Sequence, residues 1–151
     1  KKNTVALFLS EVMGRVITEE GAPNQILYHF IEKNIIFLEQ KGFSPLFHLK
    51  FMTDLSHHLG FYPNQSNLKE DYFNLESGCF CSSSRSKYVI GGDLVITLKK
   101  ILGTNFEDLN DLKIPNSLRI KVLNVLIDYF NLHLHGIGKI KSLDILHEIF
   151  R

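Results

Sequence analysis

The stretch Ser44–Gly60, SPLFHLKFMTDLSHHLG, predicts a complete helix with both ends marked. Ser44 is a good N-cap, and Pro45 loses no hydrogen bond at the first helical position because the N–H groups of the first turn have no intrahelical acceptor. Gly60 suits the left-handed conformation that often follows a helix. Apolar residues occupy more sides of this segment than an amphipathic surface helix needs, so we expect the helix to be central.

Two interpretations of this helix stay open. One face carries Phe47, Lys50, Phe51 and Asp54, which are related by steps of three and four residues. In the first interpretation the face is buried and Lys50 pairs with Asp54, and composition favours this one. In the second it forms a groove with an aromatic floor and a cationic rim, which suits a short acidic peptide that ends in an aromatic residue and a free carboxylate.

The flanking sequence predicts further helices, because apolar residues recur at helical spacing. The predicted helices are Thr4–Glu20, Gln25–Lys41, Asp93–Leu102, Ser117–His135 and a last one from Ser142, with a helical turn inside Asn105–Leu112. The predicted caps are Asn24 and Ser142, and the predicted ends are Gly21, Gly42, Gly103 and Gly136.

One segment breaks the helical pattern. Tyr72–Cys81 holds two short aromatic runs separated by Glu-Ser-Gly, which is typical of a β-hairpin. The polar stretches Phe61–Glu70 and Ser82–Lys87 predict loops. The predicted fold is therefore mainly α: a helical bundle, one domain over residues 1–151, with a small inserted β-hairpin.

Composition excludes several classes of protein. The chain has 151 residues, 44% hydrophobic, with Lys+Arg 17 against Asp+Glu 16, which argues against disorder and against a global attraction to nucleic acid. No apolar run reaches the ~18 residues that span a membrane. Two cysteines do not make a disulfide framework, which favours a reducing, cytoplasmic location. Because the first residue is Lys, we expect a piece of a longer protein.

Cysteine and histidine residues are weak candidates for a metal site. Cys79 and Cys81, with His57 and His58, have the donor types of a zinc site. Neighbouring histidines on a helix diverge by about 100°, and structural zinc sites favour donor pairs two to four residues apart. No metal and no cofactor is therefore predicted.

The sequence also gives little sign of catalysis. Patterns that organise a nucleophile, a phosphate or a dinucleotide are not present, so no catalytic residue is predicted. The glycines in Gly91-Gly92-Asp93 favour a turn. A hydrolase using His133 or His135 as a base is a third alternative.

Basic residues cluster late in the chain. Arg119, Lys121, Lys139 and Lys141 form either a modest phosphate-facing patch or a solvated face balanced by nearby carboxylates, and the second interpretation is the more usual one.

Several segments, taken in order, resemble the helical C-terminal region of the bacterial recombination mediator family RecO, with a likeness to its Bacteroidetes branch. They are VALFLSEV (Val5–Val12), FHLKF (Phe47–Phe51), HLGFYPN (His58–Asn64), YFNLESG (Tyr72–Gly78), LIDYFNLHLH (Leu126–His135) and KSL (Lys141–Leu143). Each is a weak motif alone. Their order and spacing carry the resemblance over nearly all of the chain.

The resemblance implies a non-enzymatic role in DNA repair and homologous recombination. Family members carry an N-terminal OB-fold, absent from this chain, that binds single-stranded DNA. They act with RecR and RecF, displace single-strand-binding protein and help RecA to load. Their helical domain docks the acidic, Phe-ending tail of single-strand-binding protein. The matching pair here is Lys50-Phe51, which implies that Lys50 meets carboxylates while Phe47, Phe51 and Leu55 line the pocket.

This chain departs from part of the family at the hairpin. Zinc-bearing members have two C-x-x-C-type pairs there, whereas this chain has only Cys79-Phe80-Cys81, so the resemblance speaks against zinc. The second hypothesis, from another class, is a helical domain that binds single-stranded DNA directly through the late basic residues.

Overall fold

The computed structural model describes residues 1–40, 43–135 and 137–149, and it confirms a mainly α fold with a small β element. The helices are α1 (Lys2–Glu20), α2 (Gln25–Gln40), α3 (Phe47–His58), α4 (Asp93–Leu102), α5 (Asn116–His133) and α6 (Ser142–Ile149). The strands are β1 (Tyr72–Asn74), β2 (Cys79–Cys81) and β3 (Val89–Gly91), and a 3-10 turn covers Leu109–Asp111. The predicted helix ends at Lys41, Gly42 and Gly136 lie outside the described residues.

Helix α3 is the central element, as its composition predicts. It contacts α2, α4 and α5, and most of its residues are buried. Ser44 accepts a hydrogen bond from the Leu46 N–H at 3.3 Å, although the helix itself begins at Phe47, after a turn through Pro45 and Leu46. Gly60 follows the helix in the predicted left-handed conformation, with φ 87°.

Strand β1 is the centre of the sheet and pairs antiparallel with β2 and with β3. The predicted hairpin over residues 72–81 is confirmed as β1 and β2. The sequence gives no sign of β3, because residues 89–90 are only two strand formers before two glycines that are typical of a turn. Gly91 lies opposite Tyr72, and a Cβ there would come within 2.8 Å of the Tyr72 ring, so any larger residue would displace this ring.

Tyr129 of α5 fixes the sheet against the helices. The Phe73 and Phe80 rings pair across β1 and β2 with centroids 4.9 Å apart, and the Tyr129 ring lies 5.7 Å from Phe73. Burial raises the pKa of Tyr129, so its hydroxyl stays protonated and donates to the carbonyl of Phe61. The sheet is therefore held to α5 by apolar contact, and the Tyr129 hydrogen bond ties α5 to the loop that follows α3.

The last helix is held by a carboxylate from the first. Glu11 accepts hydrogen bonds from the N–H of Lys141 at 2.9 Å, and from the N–H and hydroxyl of Ser142 at 2.8 and 2.6 Å. The sequence predicts Ser142 as the cap that precedes this helix, whereas α6 begins at Ser142 itself and the Ser142 hydroxyl donates to Glu11. The Glu11 carboxylate supplies the acceptor and the negative charge that a helix N-terminus favours.

Arg15 completes this contact between the two ends of the chain. Its guanidinium donates to Glu11 at 2.8 Å and to the carbonyl of Ile137. We call Glu11 and Arg15, with the segment 137–142 that they hold, the terminal clamp. It joins residues about 130 positions apart in sequence.

Candidate peptide-binding pocket

A pocket of about 260 Å³ opens between α2, α3 and the loop that precedes the 3-10 turn, and Lys50 lines it. We call it the aromatic pocket. Its lining residues are Phe30, Lys33, Asn34, Phe37, Lys50, Asp54, Asn105, Phe106 and Glu107.

The aromatic residues around this pocket form two layers. Phe30, Phe37 and Phe106 are half-buried and line the pocket, while Phe47 and Phe51 are buried beneath them. Ring centroids lie 5.1 Å apart for Phe30 and Phe51 and 5.2 Å apart for Phe47 and Phe106. These separations are typical of packed aromatic pairs, so the floor is a continuous apolar surface.

Of the four residues predicted for the groove, one lines the pocket. Lys50 is part of its wall, Phe47 and Phe51 are buried beneath the lining rings, and Leu55 is buried and does not line the pocket. The outer layer of rings was not predicted from the sequence. Phe30 and Phe37 are seven residues apart on α2, which is a signal for one shared face. No sequence signal places Phe106, because its position depends on how a loop crosses the helices.

Lys50 and Asp54 form an ion pair in the wall of the pocket. The Lys50 Nζ lies 2.9 Å from Asp54 Oδ1, and the side chains are 7% and 24% exposed. Burial raises the pKa of Asp54 above its usual range, while the Lys50 hydrogen bond and charge oppose the rise. The burial and the pairing predicted for this helix face are therefore both present.

Two histidines follow the ion pair at the end of α3. The His58 ring stacks near Phe30, with centroids 4.4 Å apart, and it lies 5.5 Å from the ring of His57. Burial, followed by the charge of His57, lowers the pKa of His58, so the His58 ring adds little positive charge beside Phe30 at neutral pH. Lys33 and Glu107 are exposed at the rim.

A second pocket, of about 490 Å³, lies beside the α1–α2 turn, and none of the described residues that line it is charged. It includes Ile17 and Tyr28, which are exposed although Ile17 continues the apolar pattern of α1. This apolar pocket accommodates hydrophobic groups, and its described lining offers no cation to a carboxylate.

The late basic residues lie on two elements: Arg119 and Lys121 are on α5, whereas Lys139 and Lys141 precede α6. Arg119 is half-buried, donates to Asn116 at 3.0 Å, and borders a small cavity with His48 and His147 of the last helix. Lys139 and Lys141 instead precede the first turn of α6, and both are exposed, as is Lys121 on α5. Burial, followed by the charges of Arg119 and His147, lowers the pKa of His48 to about 3, so this ring stays neutral beside Arg119.

The cysteines considered for a metal site and the histidine considered for catalysis contact backbone carbonyl groups. The Cys79 and Cys81 thiols lie 3.4 and 3.5 Å from the carbonyls of Ser77 and Ser83. His133 hydrogen-bonds the carbonyl of Leu75 at 2.9 Å. Within the part of the chain that the structure describes, no group of three or more His, Cys, Asp and Glu residues is arranged to hold a metal ion. None of the described helices is both long and apolar enough to cross a membrane.

The sequence matches the family described as "Recombination protein O C terminal" over residues 1–144. It is similar to proteins named DNA repair protein RecO. Identity is 37% over 149 residues in Christiangramia forsetii, 35% over 150 in Flavobacterium johnsoniae and 34% over 154 in Bacteroides fragilis. Each alignment covers 99% of this chain, which spans 62 to 63% of the length of these relatives. No solved structure matches the chain.

The family match covers nearly all of the chain, and the relatives come from the Bacteroidetes that the sequence resemblance indicates. The chain therefore belongs to the RecO family, to its C-terminal part.

Proposed function

We propose that this chain is a non-enzymatic mediator domain of DNA repair and homologous recombination in the cytoplasm. In this role it contacts single-strand-binding protein and RecR and thereby helps RecA to load on single-stranded DNA. Membership of the RecO family supports the general role. The specific role, contact with single-strand-binding protein, is supported by Lys50 in the wall of a pocket lined by three phenylalanine rings.

The aromatic pocket matches the chemistry of the acidic, Phe-ending tail of single-strand-binding protein. The terminal ring of the tail packs on Phe30, Phe37 and Phe106, where an edge-to-face or offset geometry is favourable. Its carboxylates reach the ammonium groups of Lys33 and Lys50, which line the same pocket. The described lining of the apolar pocket beside the α1–α2 turn supplies no such cation, so of these two pockets we assign the tail to the aromatic one.

Phe106→Ala is expected to weaken binding of a tail peptide by about tenfold, because it removes a ring that the terminal aromatic group packs on, and Lys50→Ala by about threefold, because Lys50 is already paired with Asp54. The measurement is a fluorescence-anisotropy titration of a labelled peptide that copies the tail, at constant salt. Lys121→Ala removes an exposed lysine from α5 and is the matched control, with binding unchanged.

A peptide with the same sequence but an amidated C-terminus is expected to bind more weakly than the free acid. A flat titration with the unmodified chain rejects the assignment of the tail to this domain. Equal binding by all three variants rejects the aromatic pocket while leaving the family role intact.

Direct binding to single-stranded DNA is the second candidate, because Lys121, Lys139 and Lys141 are exposed and make no ion pair with the described residues. Changing these three lysines to glutamine is expected to reduce the slope of log Kd against log salt by about 2, from counterion release. The matched control changes Lys69, Lys100 and Lys113, which are also exposed. An equal loss in both triple variants points to net charge alone and contradicts a local patch.

A further inference from the structure

The cation in the wall of the aromatic pocket already has a carboxylate partner. Lys50 Nζ lies 2.9 Å from Asp54 Oδ1, and the Lys50 side chain is only 7% exposed. A carboxylate that enters this pocket therefore meets an ammonium group whose charge is balanced. An acidic ligand therefore does not find a free cation at Lys50.

Asp54 is the more exposed partner of the pair, at 24%. It lines the pocket beside Lys50, so the pair presents its negative member to an entering ligand. Among the lining residues, Lys33 and Lys50 are balanced by Asp54 and Glu107. The described part of the lining thus carries no net positive charge when both carboxylates are ionised and the adjoining His58 is neutral.

We propose that Asp54 is a built-in competitor for Lys50, so that an acidic peptide binds by exchanging the Asp54 carboxylate for its own. This proposal rests on the proposed function of the pocket as the site of an acidic, Phe-ending tail. Lys33, exposed at the rim, makes the first contact with the arriving carboxylates. The ligand carboxylate then takes the hydrogen bond that Lys50 gives to Asp54.

Such an exchange makes the pocket selective. Replacing one carboxylate by another at Lys50 gains little energy, because one close ion pair is lost for each one formed. The net gain must come from the ring that packs on Phe30, Phe37 and Phe106. An acidic segment without a terminal aromatic ring, or a nucleic-acid phosphate, therefore does not displace Asp54 efficiently. Competition of this kind disfavours the wrong ligands.

The test compares two variants with the same change in net charge. Asp54→Asn keeps the size of the side chain and removes the competing charge, and we expect it to bind the tail peptide about 5- to 10-fold more tightly. Glu107→Gln removes a charge at the rim of the same pocket and is expected to change binding by about twofold or less, since exposed charges are screened. Lys33→Ala is expected to weaken binding by about threefold.

In the exchange model, most of the gain in peptide affinity from Asp54→Asn depends on Lys50. In a Lys50→Met background, which keeps a long apolar side chain in the buried position, Asp54→Asn frees no cation and relieves only the repulsion between two carboxylates, so the gain is expected to fall to about twofold or less. Circular dichroism and the thermal midpoint of each variant establish that it is folded at the temperature of the titration. If Asp54→Asn is poorly folded, Asp54→Ser is measured in its place.

The outcomes separate this inference from the proposed function. If the unmodified chain binds the peptide and Asp54→Asn binds it no better than Glu107→Gln does, Asp54 is not a competitor and the pocket assignment stands. If Asp54→Asn binds and the unmodified chain does not, Asp54 blocks the site, as proposed. If neither binds, the tail does not use this pocket, and both proposals are rejected.

Discussion

Replacing Glu11 by alanine is expected to lower the free energy of unfolding by about 2 to 3 kcal/mol, because it opens the terminal clamp. The Glu11 carboxylate accepts three hydrogen bonds at the start of α6 and one from Arg15. Its side chain is 20% exposed, so these bonds are partly shielded from water. Without the carboxylate, the N–H groups of Lys141 and Ser142 lose their acceptor, and the contact of α6 with α1 is left to apolar packing.

The contribution of Glu11 to the free energy of unfolding is expected to increase with pH. Burial raises the pKa of Glu11, but the hydrogen bonds from Ser142, Lys141 and Arg15 outweigh it and lower the pKa from 4.5 to about 2. A carboxyl group whose pKa is lower in the folded state than in the unfolded state stabilises the fold at pH values above its unfolded-state pKa. The stabilisation is therefore complete above about pH 5 and is lost as the pH falls to about 2.

Urea denaturation at a series of pH values measures both effects. Glu39→Ala, at an exposed position near the end of α2, is the matched control and is expected to change the unfolding free energy by about 0.5 kcal/mol or less. Glu11→Gln keeps the size and one acceptor, so its loss should be intermediate. A difference between Glu11→Ala and the unmodified chain that is the same at acidic and neutral pH contradicts the ionic clamp.

Gly78→Ala is expected to lower the free energy of unfolding by about 3 kcal/mol, the sum of two independent penalties. Gly78 has φ 66°, a conformation that costs an L-residue about 1 to 2 kcal/mol. A Cβ at this position would also lie 2.7 Å from the Tyr129 hydroxyl oxygen. That hydroxyl is held by its bond to the carbonyl of Phe61, so it cannot move aside without losing a buried hydrogen bond.

Gly60→Ala separates the two penalties. Gly60 has φ 87°, but no atom lies within 4 Å of the position of its Cβ, so only the backbone cost of about 1 to 2 kcal/mol is expected. In a Tyr129→Phe background, which removes the clashing oxygen, the cost of Gly78→Ala should fall to a similar value. A double-mutant cycle with no coupling between residues 78 and 129 would contradict the steric part of this account.

Local patterns in the sequence were sufficient for most of the secondary structure and for the central position of α3. The hairpin, the capping of α2 by Asn24 and the left-handed Gly60 are each confirmed, because each depends on residues a few positions apart. The same is true of the Lys50–Asp54 pair, whose members are one helical turn apart. Such contacts depend little on the rest of the fold.

Local sequence patterns could not predict which side chains line the candidate pocket. Periodicity shows that Phe47 and Phe51 share a face, but not whether another layer covers it. Phe30, Phe37 and Phe106 form that layer, and they come from a different helix and a loop. The sequence predicts a site on the face of α3 that carries Lys50, and only the packing of α2 and the loop shows which rings line the pocket beside it.

The sequence by itself determined the helices, the hairpin, the family and the position of the basic-aromatic pair. The tertiary structure decided the third strand, the outer rings of the aromatic pocket and the capping of α6 by Glu11, which lies about 130 residues away. The physical reason is the range of each interaction. Helical periodicity and turn conformations are set within one or two turns of chain, whereas a strand partner, a pocket wall and a distant cap exist only after the chain has folded.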